Sequence, residues 1–283
     1  MSGVLNVLAS YYSASGTPTY PSGATWATSF REIPGLGYTG AVCRFYRDSD
    51  GAEVDMYYYA GGDNLNTARD GSGSSKETWG GSASVYAVKM YDQSGNSNHS
   101  YNGTISRTVR LSNAGTWYTA NGKLAGYIDG TRYHTLVSTI TGAESCTFLV
   151  VGKRAATAKA MYPITGYTSG VGVYGFTWYS DDNIYARSNS GYIVSNSTDS
   201  GSSQFIGYDI MAGSTRKIYK NASEVASTYN SGSGSTNFDQ VYGIDTASEF
   251  SNAYYQEMVL YTSDQNAYRS DMFNCANSYY GAY

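Results

Sequence analysis

Four carboxylates, Asp92, Glu144, Asp245 and Glu257, are the residues of this chain with the clearest chemical potential. Paired carboxylates can cleave a glycosidic bond: one stays ionised as nucleophile or base, and the other, with a raised pKa, protonates the leaving oxygen. The two must stand ~5–9 Å apart, which sequence spacing does not decide. Glu144 at a strand start and Glu257 within a tyrosine-rich strand also suit a sheet surface. A second acidic group, Asp48, Asp50, Glu53 and Asp55, offers the oxygen ligands that calcium takes. Its first part, Asp48-Ser49-Asp50-Gly51, is equally sufficient as a hairpin turn. His99 and His134 have no cysteine, histidine or acidic residue at metal-ligand spacing around them, so a metal site on either is not expected. No Gly-x-Ser-x-Gly elbow and no glycine-rich loop leading into Lys-Ser/Thr occurs, so neither a serine nucleophile nor a bound nucleotide is expected. The expectation is a chain without a cofactor, with calcium as the one candidate ion.

Aromatic residues carry the other possible chemistry. The chain holds 31 tyrosines beside Trp26, Trp79, Trp117 and Trp178. An aromatic face packs on the C–H side of a pyranose while Asn and Asp take its hydroxyls, and the same rings also fill cores and subunit contacts. On this basis the candidate ligand-binding residues are Asp92, Asn96 and Asn98 in one loop, Trp117 and Trp178 as platforms, and Asp245.

The elements that must position these residues read as strands. Val85 to Met90 is dominated by β-formers and bulky apolar residues and predicts a largely buried strand. It runs into Asp92-Gln93-Ser94-Gly95-Asn96-Ser97-Asn98-His99, where nearly every residue favours a turn. Such a loop either shapes a surface site or pins a corner of a sheet. If it is a corner, Asp92→Ala is expected to cost ~1–2 kcal/mol through lost turn hydrogen bonds. Upstream, 41–47 and 52–59 form a predicted hairpin around the Asp/Ser/Gly turn. Short strands follow at 109–111, 117–119 and 123–128, and the most hydrophobic segment, 145–152, is placed centrally. Further strands are predicted at 160–166, 172–180, 183–188, 192–194, 203–211, 215–220, 224–228, 240–244 and 254–261. Residues 65–69 have some helical potential, but the one clear helix is 265–279, capped by Ser263 or Asp264 and stopped by Gly281, with Tyr268, Met272, Cys275 and Tyr279 on its apolar side. No motif repeats at a period of 20–50 residues. Many short strands divided by Gly/Ser/Asn turns define an all-β chain, a sandwich or jelly roll with a short C-terminal helix.

Composition narrows the function classes. Charged residues make up 14% of the 283 and the formal net charge is −4. Lys and Arg are scattered singly, without the basic patch of a nucleic-acid binder. No segment approaches the ~20 apolar residues of a membrane-spanning helix. The start, Met1 to Ser10, lacks a basic region and a long apolar run, so classical export is not expected. Cys43, Cys146 and Cys275 lie far apart and read as reduced, buried thiols. Residues 1–30, rich in Ser, Pro and Gly, read as an arm leading into a domain over 31–283.

Several segments together resemble a known family. Tyr38-Thr39-Gly40-Ala41-Val42-Cys43-Arg44, Arg47-Asp48-Ser49-Asp50 with Ala52-Glu53-Val54-Asp55, and Met90-Tyr91-Asp92-Gln93-Ser94-Gly95-Asn96 resemble the catalytic domain of the α-L-arabinofuranosidase B family. They are equally similar to non-catalytic concanavalin A-like (LamG-like) domains of bacteria and phages. The ending from Tyr255 resembles the last strand and terminal helix of that set, so the resemblance covers about residues 30–283. It implies a concanavalin A-like β-sandwich. The hydrolase family places its nucleophilic Glu in a Gly-Asn-Ala-Glu-like turn after a vicinal cysteine pair. The matching positions here are Gly166-Tyr167-Thr168-Ser169, without a carboxylate, and Met161-Tyr162. The family's acid/base Asp has a loose counterpart in Asp245. A missing nucleophile removes orders of magnitude of rate but leaves room for a sugar-binding groove, and beside it the Asp92 loop reads as a fold-defining corner bordering such a groove. The resemblance thus implies a bacteriophage virion protein on the virion surface: a capsid decoration, fibre or tail attachment module. Its expected partners are capsid or tail proteins, sister copies in a homo-oligomer (a trimer by analogy) and a host glycan. A glycoside hydrolase and a cellular carbohydrate-binding module are the alternatives.

Overall fold

A computed structural model describes residues 18–58, 70–130, 132–141, 145–156, 160–168, 172–178, 183–188, 191–194, 203–212, 215–229, 237–243 and 251–283. In chain order the strands are β1 (Trp26–Ser29), β2 (Ala41–Arg47), β3 (Glu53–Tyr57), β4 (Val85–Met90), β5 (Ser100–Tyr101), β6 (Val109–Asn113) and β7 (Thr116–Trp117). There follow β8 (Thr119–Ala120), β9 (Lys123–Leu124), β10 (Gly126–Gly130), β11 (His134–Thr141), β12 (Cys146–Arg154), β13 (Met161–Thr168) and β14 (Gly172–Trp178). The last are β15 (Ile184–Ser188), β16 (Gly191–Val194), β17 (Phe205–Ala212), β18 (Thr215–Lys220), β19 (Ser223–Tyr229), β20 (Asn237–Val241) and β21 (Ser251–Tyr261). Two α-helices are described, α1 (Lys76–Gly80) and α2 (Arg269–Tyr280).

Among the described residues the strand pairing is antiparallel throughout and resolves into two layers. One runs β3–β2–β4–β6–β10–β21–β12–β17–β18–β19, with β1 beside β21 end to end with β10. The other runs β5–β11–β20–β13–β14–β15–β16 and is joined to the first where β4 pairs with β5. Alternation along each strand sends one set of side chains between the layers. Phe45, Val85, Ala87, Val109, Leu111, Ile128, Phe148, Val150, Met258 and Leu260 of the first layer meet Leu136, Ile140, Ile164, Trp178, Ile184, Phe238 and Val241 of the second. The chain is therefore an antiparallel β-sandwich, as the turn-divided short strands predict.

The outer face of the first layer is partly covered. Leu149 and Val151 of β12, Ile206 and Tyr208 of β17, and Val259 and Tyr261 of β21 point away from the main core. They pack against Met272, Phe273, Cys275, Ala276 and Tyr280 of α2. The helix starts one turn later than predicted, after a 3₁₀ turn over Asn266–Tyr268 for which Asp264 Oδ1 accepts the Asn266 amide at 2.8 Å. It ends at Gly281 in the left-handed region (φ 57°, ψ 46°). Tyr280, not Tyr279, is the buried tyrosine of its last turn.

The predicted arm boundary changes. The arm boundary at residue 30 is too late, because β1 pairs with β21 through Trp26↔Leu260 to Ser29↔Glu257, and Tyr20, Ala24, Trp26 and Ala27 are all buried. Residues from 18 onward belong to the sandwich, and 1–17 lie outside the described residues. The hairpin, β4, the strands from 109 to 130, and those from 145 onward are found close to their predicted places. β11 and α1 were not anticipated, and residues 65–69 lie outside the described residues. Cys43, Cys146 and Cys275 are free and buried. Among the described residues no helix is long and apolar enough to cross a membrane.

Candidate functional site

The loop after β4 is a corner and not an open site. Asp92 is 1% exposed, and its carboxylate accepts the amides of Ala27 (3.0 Å), Ser94 (3.0 Å) and Asn98 (3.0 Å) and the Ser94 hydroxyl (2.9 Å). Its own amide donates to His99 Nδ1 at 3.1 Å. Asn96 donates to the carbonyls of Ala24 and Thr25, and Asn98 exchanges two hydrogen bonds with the backbone of Ser138. Gln93, predicted only as part of the turn, is fully buried: it accepts the Ile33 amide and donates to the carbonyls of Ser29 and Arg31. The loop's polar groups thus tie β1 and the chain after it to β4 and β11. Asp92 is surrounded by protein donors and presents no oxygen to a ligand.

The other predicted residues do not converge on it. Trp178 is fully buried with its ring 4.0 Å from that of Phe205, so its expected role as a sugar platform is corrected to core packing. Trp117 is half-buried, seated against Phe45 (5.9 Å between centroids) with the Lys76 ammonium 5.1 Å from its ring, and it closes an edge of the core. Glu144 and Asp245 lie outside the described residues, as does Ser169. Met161 and Tyr162 are buried strand residues of β13. The calcium candidates are engaged separately: Asp50 with Arg47, Asp55 and Glu53 with Arg44, and Asp48 with the Ser84 amide. Among the described residues no group of three or more His, Cys, Asp or Glu is placed to hold a metal ion.

Glu257 sits on the outer face of β21 beneath the end of α2, where protein donors surround its carboxylate. It is 1% exposed and receives the Arg31 guanidinium through Nε at 2.7 Å and Nη2 at 3.0 Å. Tyr20 Oη (2.5 Å), Ser29 Oγ (3.1 Å) and Tyr280 Oη (3.2 Å) complete its shell. The Arg31 carbon lies 4.6 and 5.1 Å from the ring centres of Tyr279 and Tyr280. The carboxylate pushes the Tyr20 and Tyr280 phenols, already raised by burial, further up. This cluster locks the start of the sandwich, β21 and α2 together.

The accessible aromatic surface lies further along the same outer face. Strand alternation puts Tyr127 of β10 and Tyr254 of β21 opposite each other with ring centroids 5.0 Å apart. Tyr118 stands 4.8 Å from Tyr127 and 6.1 Å from Tyr254. All three are half-buried, with one side toward solvent. A local device delivers Tyr118 there. β8 and β9 form a tight hairpin whose turn residues Asn121 (φ 46°) and Gly122 (φ 72°) both take left-handed backbone, as a two-residue hairpin requires. The bulge between Val151 and Gly152 in the β12–β21 pairing turns Gln256 toward this hairpin, where its amide donates to the carbonyls of Ala120, Lys123 and Leu124. Asn121 donates to the Gly281 carbonyl at 2.6 Å, clasping the hairpin to the end of α2. Around the rings stand Asn252, Asp129, Arg110 and Lys153. Rigid tyrosines flanked by amide and charged groups can stack on a flat ring and hydrogen-bond its substituents.

Comparison with solved structures places the fold. The chain is similar to an arabinofuranosidase complexed with arabinofuranosyl-alpha-1,2-xylobiose (TM-score 0.63, 16% identity, 89% of this chain and 62% of that chain). It is also similar to a GH54 a-l-arabinofuranosidase soaked with a cyclic sulfate inhibitor (TM-score 0.60, 14% identity, 89% of this chain and 63% of that chain). The chain spans less than two thirds of the length of these proteins. At these identities the likeness defines the class of fold, an antiparallel β-sandwich of the kind that carries arabinofuranosidase domains. No protein-family model and no curated protein sequence matches the chain.

Proposed function

We propose that this chain is a carbohydrate-binding β-sandwich that does not hydrolyse its ligand, displayed on the surface of a bacteriophage particle. The observation that carries the binding role is the half-exposed cluster of Tyr118, Tyr127 and Tyr254, held on a rigid sheet by Gln256 and Asn121. A cluster of this kind offers sugar rings stacking faces at low conformational cost. The non-hydrolytic part is supported by the two described carboxylate candidates, Asp92 and Glu257, each buried and engaged by protein donors. The particle context is supported by the sequence: scarce charge, a Tyr/Gly/Ser/Asn-rich composition, and motifs resembling phage concanavalin A-like domains. Capsid or tail proteins, sister copies and a host glycan are its proposed partners.

A glycan array probed with the purified chain, alongside the Tyr127→Ala/Tyr254→Ala variant, tests the binding role. Binding by the parent chain and its loss in the variant are expected. Release of sugar from aryl arabinofuranosides or host polysaccharide would instead favour a glycoside hydrolase. Co-purification with particles tests the location: high copy number indicates capsid decoration, a handful of copies a tail tip, and absence from particles a cellular binding module.

A further inference from the structure

The tyrosine cluster is one end of a longer row. Register places Tyr46 opposite Tyr86, Tyr86 opposite Arg110, Arg110 opposite Tyr127, Tyr127 opposite Tyr254, and Tyr254 opposite Lys153. One residue from each of β2, β4, β6, β10, β21 and β12 therefore lines a single track across the outer face. All six are half-buried. Four of the five steps bring side chains near each other: Tyr46 and Tyr86 rings lie 6.4 Å apart, the Arg110 carbon is 5.8 Å from the Tyr86 ring, the Tyr127 and Tyr254 rings are 5.0 Å apart, and the Lys153 ammonium is 5.8 Å from the Tyr254 ring. At the usual strand spacing of about 4.8 Å, the five steps span ~24 Å, the reach of a short oligosaccharide and not of a single sugar.

The charge along this track is opposite in sign to that of the chain. Arg110, Lys153 and the neighbouring Arg132, whose guanidinium lies 5.7 Å from the Tyr86 ring, face Asp129, and a second carboxylate, Glu53, stands opposite Tyr46 at the far end beside Arg44, in a chain of net charge −4. Asp129 is held by Arg132 and stands 3.9 Å from Arg110. Arg110 Nε is itself buried, so the outer guanidinium nitrogens, beside Tyr118 and 3.9 Å from Asp129, are the ones a ligand can meet, and Lys153 makes no ion pair among the described residues. Planar guanidinium beside stacking tyrosines suits a carboxylate-bearing sugar, since the rings take the pyranose face and the fork takes the acid group.

We infer that the row from Tyr46 to Lys153 is the binding track for an extended acidic polysaccharide, a chain of uronate-type sugars lying across the strands. This rests on the carbohydrate-binding reading above and adds the class and course of the ligand. Aromatic pairing across strands also stabilises a sheet by itself, so the test separates the two roles.

Affinity electrophoresis in gels containing a soluble polyuronate or a neutral polysaccharide, run at low and moderate salt, reads the preference directly. The parent chain is expected to be retarded by the polyuronate, less so as salt rises, and to prefer it to the neutral polymer. Arg110→Gln/Lys153→Gln is expected to weaken polyuronate binding roughly tenfold or more while leaving the melting temperature nearly unchanged. Tyr46→Ala/Tyr86→Ala, remote from Lys153, is expected to weaken it too, because the ligand runs the length of the row. Retardation only by neutral polymers, or polyuronate binding indifferent to both variants, overturns the inference and leaves the general binding role standing. If neither polymer nor any glycan on an array is bound, both fall.

Discussion

Asp92→Ala separates a corner from a site, and the structure sets the size of its effect. The carboxylate accepts three backbone amides and one hydroxyl at 2.9–3.0 Å while 1% exposed. Removing it strands the amides of Ala27, Ser94 and Asn98 with little water to replace their acceptor. A hydrogen bond to a charged group contributes ~1.5–3 kcal/mol, and an orphaned buried donor costs ~1–3 kcal/mol. Ser94 and Asn98 can shift toward solvent, whereas Ala27, fully buried in β1, cannot. We therefore expect ~3–5 kcal/mol of lost stability, above the ~1–2 kcal/mol that lost turn hydrogen bonds alone predict and within the range set by a broken buried network. Asp92→Asn keeps an acceptor but turns an NH2 toward donors, and should fall between. Urea denaturation followed by tryptophan fluorescence gives the difference as a change in midpoint at constant slope. A loss under 1 kcal/mol accompanied by loss of glycan binding would refute the corner and return Asp92 to a ligand site.

Three further outcomes follow from the buried polar groups. Glu257→Gln leaves the Arg31 guanidinium buried without its counter-charge and should cost ~3–5 kcal/mol, whereas Arg31→Met/Glu257→Leu recovers much of it; equal losses in single and double variants would contradict the pairing. His134, fully buried with its pKa pushed down to about 3 by desolvation, holds no proton in the fold where the unfolded chain takes one below about 6.5, so its contribution is lost as pH falls from about 6.5 toward 3. Burial pushes the Asp209 carboxyl up to about 6, so its contribution has the opposite sign: present below about 3.8 and lost as pH rises toward 6. The two oppose each other between about pH 4 and 6, and urea midpoints should show a steeper acid loss in Asp209→Asn and a flattened or reversed one in His134→Gln; parallel profiles in all three proteins would contradict this.

The strands were legible because their signals are local. Alternation in 41–47 and 85–90, the unbroken apolar run at 145–152 and the glycine after α2 each act within a few residues. β11 escaped because Ser138 and Thr139 dilute its alternation, although Leu136 and Ile140 do face the core. β1 was hidden in a Pro/Ser/Gly-rich segment whose strand character comes from pairing with β21, a partner more than 200 residues away. The Asp92 loop announced itself through composition, and the lack of a matching nucleophile already favoured a corner over a site. Trp178 misled because a tryptophan's burial is a property of the packed sandwich. The row from Tyr46 to Lys153 had no sequence signature at all. Its members come from six strands, and only register brings them into line.

The most direct test of the carbohydrate-binding account is calorimetric titration of the parent chain and Tyr127→Ala/Tyr254→Ala with a glycan selected on the array. The account predicts measurable binding by the parent chain and at least tenfold weaker binding by the variant, roughly the worth of two stacking contacts, at an unchanged fold by circular dichroism. Equal affinity for both proteins would contradict it.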